Sequence, residues 1–246
     1  MSNRNLLVLR NRIKAAAISF GIASASDSLD TKTQPPKLLE ANFLNSNDVA
    51  EVKTKVLALV NEWQYFKYTP DAIIPTRMLP PGLYSRPPSQ YKEDVVQYKN
   101  LMLGNFSRIY ESIRLRLTEH FQVNLSYHPL AHYPGFHIFK LTEGNDYGEY
   151  AWYNFHQDLF PFLDNVIQYE TIYSCVIPID LPNDNGSLLY ATGDSHEKIQ
   201  YRVGDLLIWQ GNLVHSIEPF ALRGNETRMT MQFHVAISND SGIIFW

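Results

Sequence analysis

The stretch "VGDLLIWQGNLVHSIEPF" (Val203–Phe220) sets the architecture. It reads as an apolar strand, a Gly-Asn turn, and a second strand opening near His215. The same pattern fills the second half of the chain. From about residue 123 the apolar period is two, and candidate strands follow one another as "VNLSYH", "FHIFKLT", "EYAWYNFHQD", "ETIYSCVIPI", "GSLLYATG", "GDLLIWQ", "VHSIEPF" and "TRMTMQFHVAI". Turn signals such as "YPG", "EGNDYG", "PNDNG", "TGDS" and "RGNE" separate them. Short strands in series, after a helical segment, predict a mainly β fold with α: a double-stranded β-helix (jelly-roll or cupin-like) core braced by N-terminal helices.

The first half has a helical period. "SNDVAEVKTKVLALVNEW" carries Val49, Val52, Val56, Val60 and Trp63 on one face, with Asp48 and Glu51 as an expected capping box. "EDVVQYKNLMLGNFSRIYESIRLRLTEHF" carries Phe106, Ile109, Ile113, Leu117 and Phe121, with Gly104 as a weak point. Between them, Thr69–Gln90 is too rich in proline for a helix or a central strand and is expected to wrap the surface or border a pocket. The expected organisation is one integrated unit, with residues 1–122 packing on a core of residues 123–246. Residues 3–28 imitate a secretory signal, but Arg10, Arg12 and Lys14 interrupt the apolar run. An amphipathic helix is the expectation there.

Bulk properties narrow the class. The chain has 246 residues, 45% hydrophobic and 19% charged, which predicts a packed core rather than disorder. A net charge of −4 with no basic stripe argues against a nucleic-acid partner. No apolar run reaches the ~18 residues of a membrane span. The single cysteine, Cys175, cannot form an internal disulfide and fits a reducing, cytoplasmic setting.

The chemistry sits in "YNFHQDLFPF" (Tyr153–Phe162). In a strand His156 and Asp158 project to one side. A nitrogen and an oxygen donor on one face suit two positions of a divalent metal, and His215, 59 residues on, is the candidate third ligand. Two histidines and a carboxylate form a facial triad typical of non-haem Fe(II) enzymes, although zinc sites use the same donors. Thirteen residues after His215 comes Arg228. On an alternating strand it shares a face with Thr230, Gln232 and His234. A guanidinium pointing into a barrel suits a carboxylate partner.

The ordered set "HQD" … "H" … "RMT" resembles the Fe(II)/2-oxoglutarate-dependent oxygenases, whose pattern is HxD…H…RxS/T. "NGSLLYATGDSH" is similar to the "NGxLxxxPGSH" segment of the phytanoyl-CoA hydroxylase branch, and "GDLLIWQGNLVH" is similar to the strand leading to its distal histidine. The chain departs from that branch at Thr192, where the branch has proline, and at Asp194, an insertion before Ser195. "YPGFHIF" (Tyr133–Phe139) looks like a first barrel strand of some members. The resemblance covers about residues 130–237 and leaves the N-terminal 120 unaccounted for.

The resemblance implies Fe(II) on His156, Asp158 and His215. It implies 2-oxoglutarate bound through Arg228, assisted by Thr230, with Tyr173 also contributing to the cofactor site. O2 is the co-substrate, and succinate and CO2 are released. Halogenases of the superfamily replace the carboxylate with a small residue, so Asp158 points to hydroxylation, with desaturation and cyclisation as variants. The expected substrate is a small molecule, an amino-acid derivative or a natural-product intermediate. The rivals are a cupin-type metal enzyme without 2-oxoglutarate and a non-catalytic jelly-roll binding module. The remaining histidines are expected in plain structural roles: His120, His128 and His132 at the surface, His137 as core or pocket wall, His196 in a turn, and His234 as core packing. Trp152, Tyr150 and Tyr173 were candidates for pocket lining. The 69–90 segment and "EGNDYGEYAW" were candidates for lids.

Overall fold

The computed structural model describes residues 35–65, 71–74, 88–129, 131–141, 147–150, 155–158, 169–182, 187–193 and 195–246. The expected N-terminal amphipathic helix, Trp152 and most of both expected lids lie outside these. The elements run β1 (Lys37–Glu40), α1 (Ser46–Ala58), a 3-10 turn (Val60–Glu62), β2 (Gln64–Tyr65), β3 (Asp71–Ile74), α2 (Pro88–Phe121), β4 (Asn124–Tyr127), β5 (Gly135–Lys140) and β6 (Tyr147–Tyr150). They continue with β7 (Thr171–Asp180), β8 (Leu188–Thr192), β9 (Ser195–Ile199), β10 (Leu206–Gln210), β11 (His215–Ile217), β12 (Phe220–Arg223), β13 (Thr227–Ile237) and β14 (Ser241–Phe245).

The strands form two facing layers. The larger is a nine-stranded sheet in the order β1-β10-β7-β13-β5-β3-β2, with β14 on β13 and β4 beside β14. The smaller layer holds β11-β8-β9 and the pair β12-β6. The two layers make the double-stranded β-helix, and period two divides each central strand between two environments. Met229, Met231, Phe233 and Val235 of β13, and Cys175, Ile177 and Ile179 of β7, pack on Val52 and Val56 of α1 and on Phe106, Ile109, Ile113 and Leu117 of α2. Each such side chain contributes about 1.5–3 kcal/mol by leaving water. The alternate residues face the smaller layer. Val176 and Trp209 meet Leu188 and Tyr190 there, and Phe139 meets Phe220 and Leu222.

Several local expectations need correction. The cap of α1 is Asn45, whose side chain accepts from the backbone of Asn47 and Asp48. Asp48 accepts from the Asn45 amide instead, and Glu51 pairs with Lys55 and Arg108. Val60 is exposed, because the helix ends at Ala58 and the 3-10 turn rotates it out of the stripe. The Pro-rich connector contributes a strand, β3, paired to β5, and α2 already begins at Pro88. Ser195–Ile199 is a strand rather than a turn: it is polar because only one face is covered, and its backbone pairs with β8. His128 and His132 are buried, not superficial. Gly204 has φ +87, and a Cβ there would lie 2.3 Å from the Leu44 carbonyl oxygen, so only glycine fits where α1's leader crosses the β10 turn.

Candidate metal centre

The segment carrying His156 and Asp158 is not the regular strand the alternation predicted. β6 ends at Tyr150, and residues 155–158 join the fold through one antiparallel bridge, His156 with His215. In that bridge His156 N–H donates to the His215 carbonyl and His215 N–H donates back, both at 2.9 Å. The backbone of the first ligand is therefore tied directly to that of the third. Asp158 N–H donates to the Gly211 carbonyl at 2.8 Å. Gly211 is required by this approach, since a Cβ would lie 2.7 Å from the Asp158 carbonyl oxygen.

The result is one donor atom each from His156, Asp158 and His215, all within 4.8 Å of one another. His156 Nε2 lies 3.7 Å from Asp158 Oδ1, and His215 Nε2 lies 3.4 Å from Asp158 Oδ2. His215 Nδ1 is 2.9 Å from the Leu213 carbonyl, which can only accept. That contact fixes the proton on Nδ1 and leaves the Nε2 lone pair facing the other two ligands. The Trp209 ring stands edge-on to His215 with centroids 5.0 Å apart. Burial by itself would raise the Asp158 carboxyl. The neighbouring His215, His234 and His156 imidazoles and the Ser174 hydrogen bond outweigh it and hold the group well below the usual carboxylate range. Two imidazoles and one ionised carboxylate, with His156 open on one side (35% side-chain exposure), fit a divalent metal with free positions.

The same cavity is lined by Arg228, Tyr201, Gln232 and His234. Arg228 is 1% exposed. Its carbon Cζ sits 5.7 Å from the Phe139 ring centroid and 5.4 Å from that of Phe220, and Nη2 donates to Tyr201 Oη at 2.7 Å. Thr230 is fully buried and accepts from the Gln232 amide at 2.9 Å, so Gln232 rather than Thr230 is in the described cavity wall.

Tyr173 requires a correction. Ser174 faces the cavity, so its neighbour faces the helices, where the Tyr173 ring meets Phe121 at 4.8 Å. The tyrosine beside Arg228 is Tyr201, from the turn before β10. No motif announces it; a lone aromatic five residues before a strand is the whole of its sequence signal. His137 forms part of the cavity wall, and His234, expected in plain core packing, lines the cavity with its Nδ1 3.2 Å from Ser174 Oγ. Burial pushes the Cys175 thiol up, so this sulfur is an inert neighbour. Among the described residues no helix is long and apolar enough to cross a membrane.

No family model and no curated protein matches the chain. Solved structures do. HygX from Streptomyces hygroscopicus, with nickel and 2-oxoglutarate bound, aligns at 11% identity over 82% of each chain with a TM-score of 0.47. The epimerase SnoN from nogalamycin biosynthesis, described as non-heme and alpha-ketoglutarate-dependent, aligns at 14% identity over 80% of this chain and 78% of that one, with a TM-score of 0.46. A prolyl-4-hydroxylase from Pseudomonas putida aligns at 15% identity over 83% of this chain and 92% of that one, with a TM-score of 0.42.

Proposed function

We propose that the chain is an Fe(II)- and 2-oxoglutarate-dependent oxygenase that hydroxylates a C–H bond of a small molecule and releases succinate and CO2. The observation that carries this reading is the pairing of two features in one cavity: the His156, Asp158 and His215 donors, and the buried Arg228 guanidinium. When bound, the iron and 2-oxoglutarate would supply O2 activation driven by oxidative decarboxylation.

The chain's own residues do the rest. His156, Asp158 and His215 hold the metal, and the single negative charge among them leaves a divalent cation with residual charge to attract an anionic co-substrate. Arg228 receives the distal carboxylate of the diacid, with the Tyr201 hydroxyl beside it as the second donor. Phe139 and Phe220 keep water from the guanidinium and so strengthen that contact. Trp209 shields one side of His215, while the open side of His156 is where substrate would approach. An amino-acid derivative or natural-product intermediate, met in the cytoplasm, fits a cavity open beside His156 and walled by aromatic and imidazole rings.

A cupin-type metal enzyme without 2-oxoglutarate would have no use for a guanidinium buried beside the metal ligands, and a non-catalytic module would need neither. Anaerobic Fe(II) titration, with and without 2-oxoglutarate, separates the three. The expected result is a weak visible charge-transfer band that needs both. Iron binding with no such band refutes the proposal.

A further inference from the structure

We infer that Ser174 and His234 are positioning residues for Asp158. They form a hydrogen-bonded chain that holds one carboxylate oxygen, Oδ2, and so fixes how the carboxylate is presented to the His156 and His215 imidazoles. The inference rests on the metal-centre reading above and deepens it.

The proton directions follow from chemistry. Ser174 Oγ lies 2.7 Å from Asp158 Oδ2 and 3.2 Å from His234 Nδ1. An ionised carboxylate only accepts, so the one hydroxyl proton of Ser174 goes to Asp158. His234 Nδ1 must then carry a proton and donate to Ser174 Oγ. His234 thereby sets which way the hydroxyl points. With Nδ1 bare, the serine could turn toward the imidazole and abandon the carboxylate.

The fold explains why Asp158 needs this support. His215 is anchored twice, by its place in β11 and by the Leu213 carbonyl. Among the described residues, Asp158 lies beside a single bridge, at His156, and its own backbone is held by one bond to Gly211. Ser174 and His234, by contrast, are directly paired residues of β7 and β13 in the middle of the nine-stranded sheet. They are 1% and 9% exposed. The His234 ring is stacked on Trp246, at an interplanar angle of 8°, and packs on Phe245. Two paired central strands thus locate a ligand carried by residues outside any named strand. Outer hydrogen bonds of this kind are worth roughly 10–100-fold in metal affinity.

The test is anaerobic Co(II) titration of the purified chain, followed by absorption, with circular dichroism and Tm as checks on folding. Ser174→Ala should weaken Co(II) binding about 10–100-fold. Ser174→Thr, which keeps the hydroxyl, should stay within about threefold of wild type. His234→Leu should weaken binding as well, and His234→Asn, which keeps a donor near Nδ1, should recover most of it. In the Ser174→Ala background, His234→Leu should add little, because the chain is already cut. Wild-type affinity in folded Ser174→Ala overturns the inference. Additive losses in the double variant overturn the chain, since two merely structural residues would add. If Ser174→Ala fails to fold, equal affinities of His234→Leu and His234→Asn overturn it. A wild-type chain that binds no Co(II) brings down the metal-centre reading itself, an outcome distinct from all of these.

Discussion

Replacing Arg228 with methionine should separate co-substrate binding from metal binding and from folding. The guanidinium is enclosed by Phe139 and Phe220 and bonded to Tyr201. A carboxylate docked on it would receive two charge-assisted hydrogen bonds of about 1.5–3 kcal/mol each in a water-poor setting. Losing both costs about 3–6 kcal/mol, so the Kd for 2-oxoglutarate should rise roughly 150- to 25,000-fold. Folding should change much less. Methionine keeps the apolar stem and abolishes contacts with two rings worth about 0.5–2 kcal/mol each. It also abolishes the desolvation cost of a buried cation, which has the opposite sign. The assay is thermal unfolding in the presence of metal, with 2-oxoglutarate at about 100 times the wild-type Kd. Wild type gains about 2.7 kcal/mol under those conditions. The same relation gives the variant less than about 0.3 kcal/mol. Metal affinity, titrated without 2-oxoglutarate, should stay within about threefold. A variant that keeps the 2-oxoglutarate stabilisation, or loses metal in equal measure, refutes the assigned role of Arg228.

Tyr201→Phe removes the hydroxyl that accepts a charge-assisted hydrogen bond from Arg228 and should weaken 2-oxoglutarate roughly 10- to 150-fold, with metal titration unchanged. Gly211→Ala forces a methyl against the Asp158 carbonyl oxygen, 2.7 Å away, and should cost about 1–3 kcal/mol in denaturant unfolding and lower metal affinity as Asp158 shifts. Asn45→Ala deletes the cap of α1 and should cost about 0.5–2 kcal/mol with metal binding intact, as read by Tm and titration. Burial lowers His132 from the ordinary 6.5 to about 4. Between those values the unfolded chain binds the extra proton and the folded chain does not, so stability falls as pH drops through the window. The full loss below pH 4 is about 3 kcal/mol. Urea unfolding at several pH values should show that slope, and His132→Phe should flatten it.

The His156 and Asp158 pair of the proposed metal centre was legible in sequence because it needs only local information. His156 and Asp158 are two apart on extended backbone, so they share a side whether or not a ladder surrounds them. Arg228 was legible because residues 228–235 of β13 alternate polar and apolar. Tyr173 failed for the opposite reason. β7 is apolar on both faces, and a strand buried on both sides carries no phase in its sequence. Ser174 and Tyr173 were then equally good candidates for the inner face. Ser195–Ile199 and Asp71–Ile74 were missed because pairing to a neighbour, not their own pattern, makes them strands. His128 and His132 were misplaced because their burial comes from elements distant in the chain.

What fixes the phase of β7 is its other face. Cys175, Ile177 and Ile179 are buried against α1 and α2, together with the odd-numbered residues of β13. A slip of one residue would turn these to the cavity and leave Ser174 and Val176 on the helices. It would also bring Tyr173 inward, opposite His234, and remove the only described hydroxyl on the Asp158 carboxylate. The helices of the first half, which carry none of the candidate site residues, thus set the register on which the site depends. Trp246 has a comparable role at the far edge. It fills the space above Gly135, where a Cβ would lie 2.2 Å from the indole nitrogen, and it carries the ring on which His234 stacks. The chemistry-bearing residues lie between Gly135 and His234, and the parts that place them lie on either side, in α1, in α2 and in the last residue of the chain.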